Sequence, residues 1–401
     1  MHEESFNSSP DGFFTPNKHS HVIIMPSNNL PSLNIVFVAD VVDGEKSGGV
    51  ISARRLTDYL KNRHKLTIIS TGKEEEHKIV LPQFYLPFAK KQMIDMGFLF
   101  AWPNKQVLID SLKDVDLVHI QFPFLLGYQA LKQAKKMGKP VVLGFHLQPE
   151  NLIWNVGIKS EWLTTLLYHF FVKTFYNKGD IIISPSEMGK SMLEKFGIKV
   201  PAKVISNGLP VQFKPETHTP DPKYANKFII LMVGRMAKEK RHNLVIEAIK
   251  RSKYADQIQL IATGKGPLLE ELKVLGNNLP NPAVFTYVSQ EELIRLFNTA
   301  DLFLHASEIE LEGMAVMEAI GCGLPALIAN AKHSASTQFA LDEKFLFTSG
   351  DAENLSSKID YWIAHQEELK DSRQLYLEKA KQYSFSACVQ QTEDLYRQIV
   401  D

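Results

Sequence analysis

Nine short, mainly apolar runs recur along this chain, each followed by an amphipathic stretch of helix length, and this rhythm limits the fold more than any other feature. Five fall in the first half, at residues 34–38, 66–69, 117–120, 141–143 and 181–183. Four follow in the second half, at 228–233, 258–261, 302–304 and 326–328. Strands with one face in water alternate apolar and polar residues. Runs this close to continuously apolar instead fit strands covered on both faces by crossover helices. The pattern therefore predicts an α/β, doubly wound parallel sheet. It occurs twice, and 401 residues exceed what one hydrophobic core usually organises, so two Rossmann-like domains are expected.

The division falls after the turn Asn207-Gly208. Residues 210–223 are crowded with Pro, Thr, Asp and Lys, lack apolar periodicity, and read as a hinge linker. The expected domains are residues 33–209 and 210–384, with a last amphipathic helix at 385–401. Residues 1–32, rich in Ser, Asn, Pro and His, read as a mobile extension. Basic and acidic residues balance at 45 each, which argues against nucleic acid as a partner. Cys322 and Cys388 lie far apart with no metal-ligand spacing, which points to a reducing cytoplasm. No run is long enough to span a bilayer, and no secretory pattern opens the chain. A cytoplasmic protein is expected, at most peripheral on the inner membrane face.

Ligands of open α/β sheets bind beyond the carboxyl ends of the strands, so the turns there carry the candidate chemistry. After the run 302–304 comes Ser307-Glu308-Ile309-Glu310-Leu311-Glu312-Gly313-Met314-Ala315, leading to Glu318 and a further strand. An ordinary acidic loop capping a helix is the plain reading. Yet a glycine at a strand-to-helix turn exposes amides that attract anions, and flanking carboxylates can accept hydrogen bonds from sugar hydroxyls. Arg235 and Lys240 follow the strand ending at Val233 and could clamp a diphosphate. On charge alone they could equally be a basic helix start. Gly48 and Gly49 link the first strand to a helix, where backbone can approach a phosphate or sugar closely. His146 closes the fourth run. A lone histidine is usually structural, but a strand end facing the cleft makes this one a candidate. His119 and His305 read as structural. Gly264, after the run 258–261, opens another such turn. The spacing of Gly48 and Gly49 is not G-x-G-x-x-G, which weighs against a dehydrogenase.

The eight-residue step from Glu310 to Glu318 resembles the E-x7-E signature of retaining glycosyltransferases of the GT-B fold, most closely glycosyltransferase family four. Arg235 and Lys240 are similar to that family's R-x4-K pattern. The resemblance implies that Arg235 and Lys240 contact donor phosphates and that Glu310 holds sugar hydroxyls while Glu318 holds the ribose. It places Gly48 and Gly49 beneath donor and acceptor, and His146 close to the transferred sugar. Gly264 would touch the donor through backbone, and amides from Gly313 through Met314 to Ala315 would face the leaving group. By analogy the last helix folds back onto the first domain. Two positions depart from the family: Leu311, where glycine is usual, and Glu312, where an uncharged residue is usual.

The resemblance implies transfer from a nucleotide sugar, UDP-glucose-like, with retention at the anomeric carbon. No opposed carboxylate pair of glycosidase type is evident. No Asp-x-Asp stands at a strand end either, so no metal and no cofactor beyond the co-substrate are expected. The run His146-Leu147-Gln148-Pro149-Glu150-Asn151 resembles the diacylglycerol glucosyltransferase-like subgroup and implies a lipid acceptor. A polysaccharide or protein acceptor, a silent nucleotide-sugar-binding module and a sugar-nucleotide epimerase are the alternatives. Two aromatic and basic stretches bear on an anionic membrane surface: residues 86–104, with Lys90 and Lys91, and residues 168–178. The second has the length and position of a crossover helix packed on the sheet, so the first is the stronger membrane candidate.

Overall fold

The computed structural model describes residues 31–401 except 45–46, 86–89, 91–98, 155–157 and 220. All nine apolar runs are parallel strands of the compact unit Leu33–Asp401. The first sheet contains β1 (Asn34–Val38), β2 (Lys65–Ser70), β3 (Lys78–Val80), β4 (Leu117–Ile120), β5 (Val141–Gly144), β6 (Ile181–Ser184) and β7 (Ala202–Val204). Its spatial order is β3-β2-β1-β4-β5-β6-β7, parallel throughout. Along β1, Val36 and Val38 enter one hydrophobic core while Ile35 and Phe37 enter another on the opposite face. Successive side chains point to opposite faces, so a strand buried on both must be apolar throughout.

The second sheet is built the same way from β8 (Phe228–Val233), β9 (Ile258–Thr263), β10 (Val284–Thr286), β11 (Leu302–His305), β12 (Ala326–Asn330) and β13 (Leu346–Thr348). Its order is β10-β9-β8-β11-β12-β13. In each sheet the winding reverses beside its first strand, between β1 and β4 and between β8 and β11. Loops leaving two such strands diverge and open a crevice at their carboxyl ends.

Five helices matter for the site: α1 (Gly48–Leu60), α2 (Leu125–Lys136), α3 (Glu161–Thr174), α4 (Met314–Gly321) and α5 (Phe385–Val400). The last returns to the first sheet, where Cys388, Leu395 and Tyr396 join its core. There Tyr396 Oη lies 2.6 Å from His119 Nδ1, and Glu393 accepts from Arg63 Nε at 2.9 Å. His119 is thus a core residue, held neutral because burial, with His146 nearby, lowers its pKa to about 3. The hinge reading of residues 210–223 needs correction. Phe213 is buried in the core of the second sheet, and Asn298 holds both the Lys214 carbonyl and the Glu216 amide. The start of this segment is anchored to the second domain.

The extension expected at residues 1–32 lies outside the described residues except for its last two, as does most of the 86–104 stretch with Lys91. In residues 168–178, Tyr168, Phe171, Val172, Phe175 and Tyr176 are core, whereas Phe170 is exposed.

Candidate active site

The loops leaving β8, β9 and β11 converge at the switch point of the second sheet. Gly234 and Gly264 both have φ near +149°, a conformation that side chains other than hydrogen rarely adopt. A Cβ on Gly264 would overlap the Gly234 carbonyl, so the two loops touch through backbone. A Cβ on Gly234 would lie 3.6 Å from Lys240 Cε, because the lysine crosses directly over this glycine. Arg241, left-handed at φ 56°, ends the short turn Lys238–Lys240 and begins the next helix. Lys240 Nζ then donates to Glu310 Oε1. Arg235 lies alongside, with Nη2 2.6 Å from Glu239 Oε1.

Glu310 is held by two groups from two other elements. His305 Nε2, at the end of β11, lies 3.4 Å from the same Oε1 without the alignment of a hydrogen bond. Burial opposes ionisation of Glu310, but Lys240 and His305 outweigh it and hold the carboxyl well below its usual range. Burial lowers the pKa of His305 against the opposing pull of Glu310, with Lys240 adding to the lowering. His305 had read as structural; its position on Glu310 makes it part of the site. His242, next to Lys240 in space, is buried with neither ring nitrogen partnered and titrates near 3.

Across the crevice, two helix N-termini meet. Gly313, at φ 97°, precedes α4, and Ser47 precedes α1; neither supplies a side-chain cap. A Cβ on Gly48 would sit 3.5 Å from Met314 Sδ, and one on Gly49 would sit 3.2 Å from the His146 carbonyl. The structure therefore brings Gly48, Gly49, His146 and Met314 to one place. First-turn amides and aligned peptide dipoles from both helices make that place attractive to an anion. Burial lowers the His146 pKa to about 4, so its ring is neutral near pH 7.

Glu318, one turn into α4, meets Arg55 of α1, whose Nη2 lies 2.7 Å from Oε1. Arg55 Nη1 is buried without a partner. Glu312, where the chain departs from the family pattern, is buried and accepts from Ser206 Oγ and, at 2.6 Å, from Asn207 Nδ2. Burial pushes its pKa up to about 7 against those hydrogen bonds. The odd carboxyl thus stitches the loop before α4 to the turn that closes the first domain. Glu308 meets Arg241 Nε at 2.9 Å. Among the described residues no group of three His, Cys, Asp or Glu is placed to hold a metal.

Two parallel-sheet domains with a carboxylate–lysine pair at one switch point and glycine-started helices beside it define a GT-B glycosyltransferase. Family models confirm the class. "Glycosyl transferases group 1" matches residues 213–382 and "Glycosyltransferase Family 4" matches residues 46–213. The chain belongs to glycosyltransferase family four and is a glycosyltransferase that takes its sugar from a nucleotide sugar. It is 26% identical over 315 residues to the alpha-monoglucosyldiacylglycerol synthase of Streptococcus pneumoniae, spanning 74% of this chain and 70% of that protein. It is also 26% identical to the GDP-mannose-dependent alpha-mannosyltransferase of Corynebacterium glutamicum, over 74% of this chain and 72% of the relative. Anabaena HepE in complex with UDP and glucose shares the fold, with a TM-score of 0.73 at 17% identity over 91% of this chain and all of that one.

Proposed function

We propose that this enzyme moves a hexose from a UDP-glucose-like donor to a lipid hydroxyl, diacylglycerol or a related lipid, with retention and without a metal ion. The observation that carries the reading is the Lys240–Glu310 pair beside the α4 N-terminus. When donor enters, its hydroxyls donate to Glu310 and its diphosphate takes Lys240, so each group exchanges one charged partner for another. Arg235 and the amides from Gly313 to Ala315 then face the charge that grows on the departing diphosphate, where preorganised donors lower a barrier most. Gly264 lets the nucleotide lie against backbone, and Gly48 and Gly49 let the first domain close over it. Glu318 receives ribose hydroxyls while keeping Arg55, since a carboxylate offers about four acceptor sites. His146, neutral, lies at the junction where sugar and acceptor would meet.

The acceptor hydroxyl attacks from the face the diphosphate leaves, which gives retention without a covalent intermediate. The lipid acceptor and the glucose donor rest on the likeness to the alpha-monoglucosyldiacylglycerol synthase. No helix among the described residues is long and apolar enough to cross a membrane, so a lipid acceptor calls for peripheral contact. Incubation with a panel of nucleotide sugars and a lipid extract, read by mass spectrometry and by the anomeric coupling of the product, tests the reading. An α-glycolipid formed from UDP-glucose, and formed equally in EDTA, is the expected result. A glycosylated polysaccharide or protein moves the acceptor, donor binding without turnover makes the chain a silent module, and an inverted free sugar makes it an epimerase. Loss of turnover in EDTA restored by magnesium or manganese removes metal independence.

A further inference from the structure

The outer face of α3 is not used by the transfer chemistry, and it is not polar. The inner face buries Thr164, Tyr168, Phe171 and Val172. Outside, at spacings of four, stand Trp162, Leu166 and Phe170, which are 74%, 49% and 50% exposed. A surface helix normally turns charged or polar residues to water at such positions. The stripe continues onto α2: Tyr128 contacts the Phe170 ring and its hydroxyl lies 2.6 Å from Thr174 Oγ1, and Leu125 is exposed beside it in the same turn. A contiguous exposed apolar surface of this kind marks an interaction site.

Charge identifies the partner. The segments 125–136 and 158–174 carry Lys132, Lys135, Lys136, Lys159 and Lys173 against a single acid, Glu161, which pairs with Lys332 at 3.2 Å. Lys132, Lys136 and Lys173 are exposed. Apolar side chains flanked by lysine stems suit the headgroup region of an anionic bilayer, where the rings enter the interface and the ammonium groups stay among the phosphates. The start of α3 also borders the crevice: Lys159 lies 3.6 Å from Glu308, two residues before Glu310, and Glu161 reaches Lys332.

We propose that the outer face of α2 and α3 docks on an anionic lipid bilayer, which brings membrane lipid to the mouth of the crevice. The consequence for catalysis rests on the lipid-acceptor reading; the docking does not. The test is co-sedimentation of the full chain with phosphatidylcholine vesicles and with vesicles enriched in phosphatidylglycerol, without any substrate. Binding is expected to rise with phosphatidylglycerol and to fall with salt. Joint Trp162→Glu and Phe170→Glu should abolish it. Lys132→Glu with Lys173→Glu should weaken it on the order of tenfold or more, at about 1 kcal/mol for each lysine near the surface. The thermal shift produced by UDP reports that each variant is folded with its donor site intact. Equal recovery in the supernatant with and without vesicles overturns the proposal. So does undiminished binding by the Trp162→Glu, Phe170→Glu protein, or self-association that this pair of changes removes in a protein that ignores vesicles. Vesicle binding lost in the variants, with no lipid product from the wild type, upholds docking and rejects the lipid acceptor.

Discussion

Glu310 stays ionised in a buried place only because Lys240 and His305 face it. On the proposed function, removing the lysine therefore takes away a phosphate contact and unbalances the carboxylate at once. Lys240→Ala should lower kcat/KM by roughly two to three decades, the 2–4 kcal/mol typical of a preorganised contact to transition-state charge, while circular dichroism remains unchanged. A folded Lys240→Ala protein with near-wild-type turnover would reject the phosphate clamp. Glu312 makes a separate prediction. In the unfolded chain its carboxyl titrates near 4.5, and in the folded chain near 7. Between those values the folded protein keeps a proton the unfolded chain has released, so this residue makes stability fall as pH rises through the window. His119, His146 and His242, with lowered values, tilt stability the other way below 6.5, so the comparison must be between proteins. Urea unfolding at about pH 5 and about pH 8 should show Glu312→Gln gaining on wild type by on the order of 1–3 kcal/mol at the higher pH; a constant difference would place the Glu312 carboxyl near its ordinary value. The E-x7-E step and the R-x4-K pattern made Glu310, Glu318, Arg235 and Lys240 legible in the sequence. Arg55 and His305 left no such mark. Each acts through a partner on another strand or helix, and for Arg55 that partner lies 263 residues away. Glu312 was visible only as a departure from pattern, and its role appears once Ser206 and Asn207 are beside it.

The long strands were legible for a physical reason, and the short ones were not for the same reason. β1, β4, β8 and β11 are buried on both faces, so their residues are apolar apart from Asn34, His119 and His305. The edge strands β3, β7, β10 and β13 have only three residues each and mostly half-buried side chains, and their register is set by the neighbouring strand. The helix starts depend on glycine, which a sequence shows but cannot justify. Gly264 is the sharpest case, because its positive φ and its contact with the Gly234 carbonyl each forbid a side chain. Gly264→Ala should destabilise the second domain by more than the ~1 kcal/mol that a glycine loses merely by being replaced where φ is unfavourable, and should weaken UDP binding with it. Calorimetry of both properties decides this; an intact donor affinity would mean that the two loops can part without harm. Helices α1 and α4 are joined by Arg55 and Glu318, both largely buried. Arg55→Met and Glu318→Gln should each destabilise, and the double change should cost less than their sum by about 0.5–3 kcal/mol. Strict additivity would show that the pair does not couple the helices.

At the scale of the molecule, the two sheets meet through polar contacts together with Leu311, which packs against the core of the first domain. Arg55 reaches Glu318, Gln148 Nε2 donates to the His333 carbonyl at 3.0 Å, Glu150 faces His333 Nδ1 at 3.3 Å, and Glu312 holds Ser206 and Asn207. Each belongs to one domain and touches the other, and each can exchange its partner for water. Interfaces of this character permit relative motion of domains. A donor bridging the α1 and α4 N-termini would contribute contacts that only the approached arrangement offers, so it should hold the domains together as well as fill a site. UDP at about a hundred times its dissociation constant would stabilise the folded chain by roughly 2.7 kcal/mol, which for a protein of this length corresponds to a rise in Tm of about 3 °C. The rise should be smaller in Lys240→Ala, which on the proposed function loses a phosphate contact within the second domain. It should also shrink in Gly48→Val, whose added side chain meets Met314 Sδ at the junction while leaving every second-domain residue in place. Scanning calorimetry with and without UDP separates the cases. If Gly48→Val keeps the full shift, the nucleotide is held by the second domain alone, and the first domain serves only the acceptor.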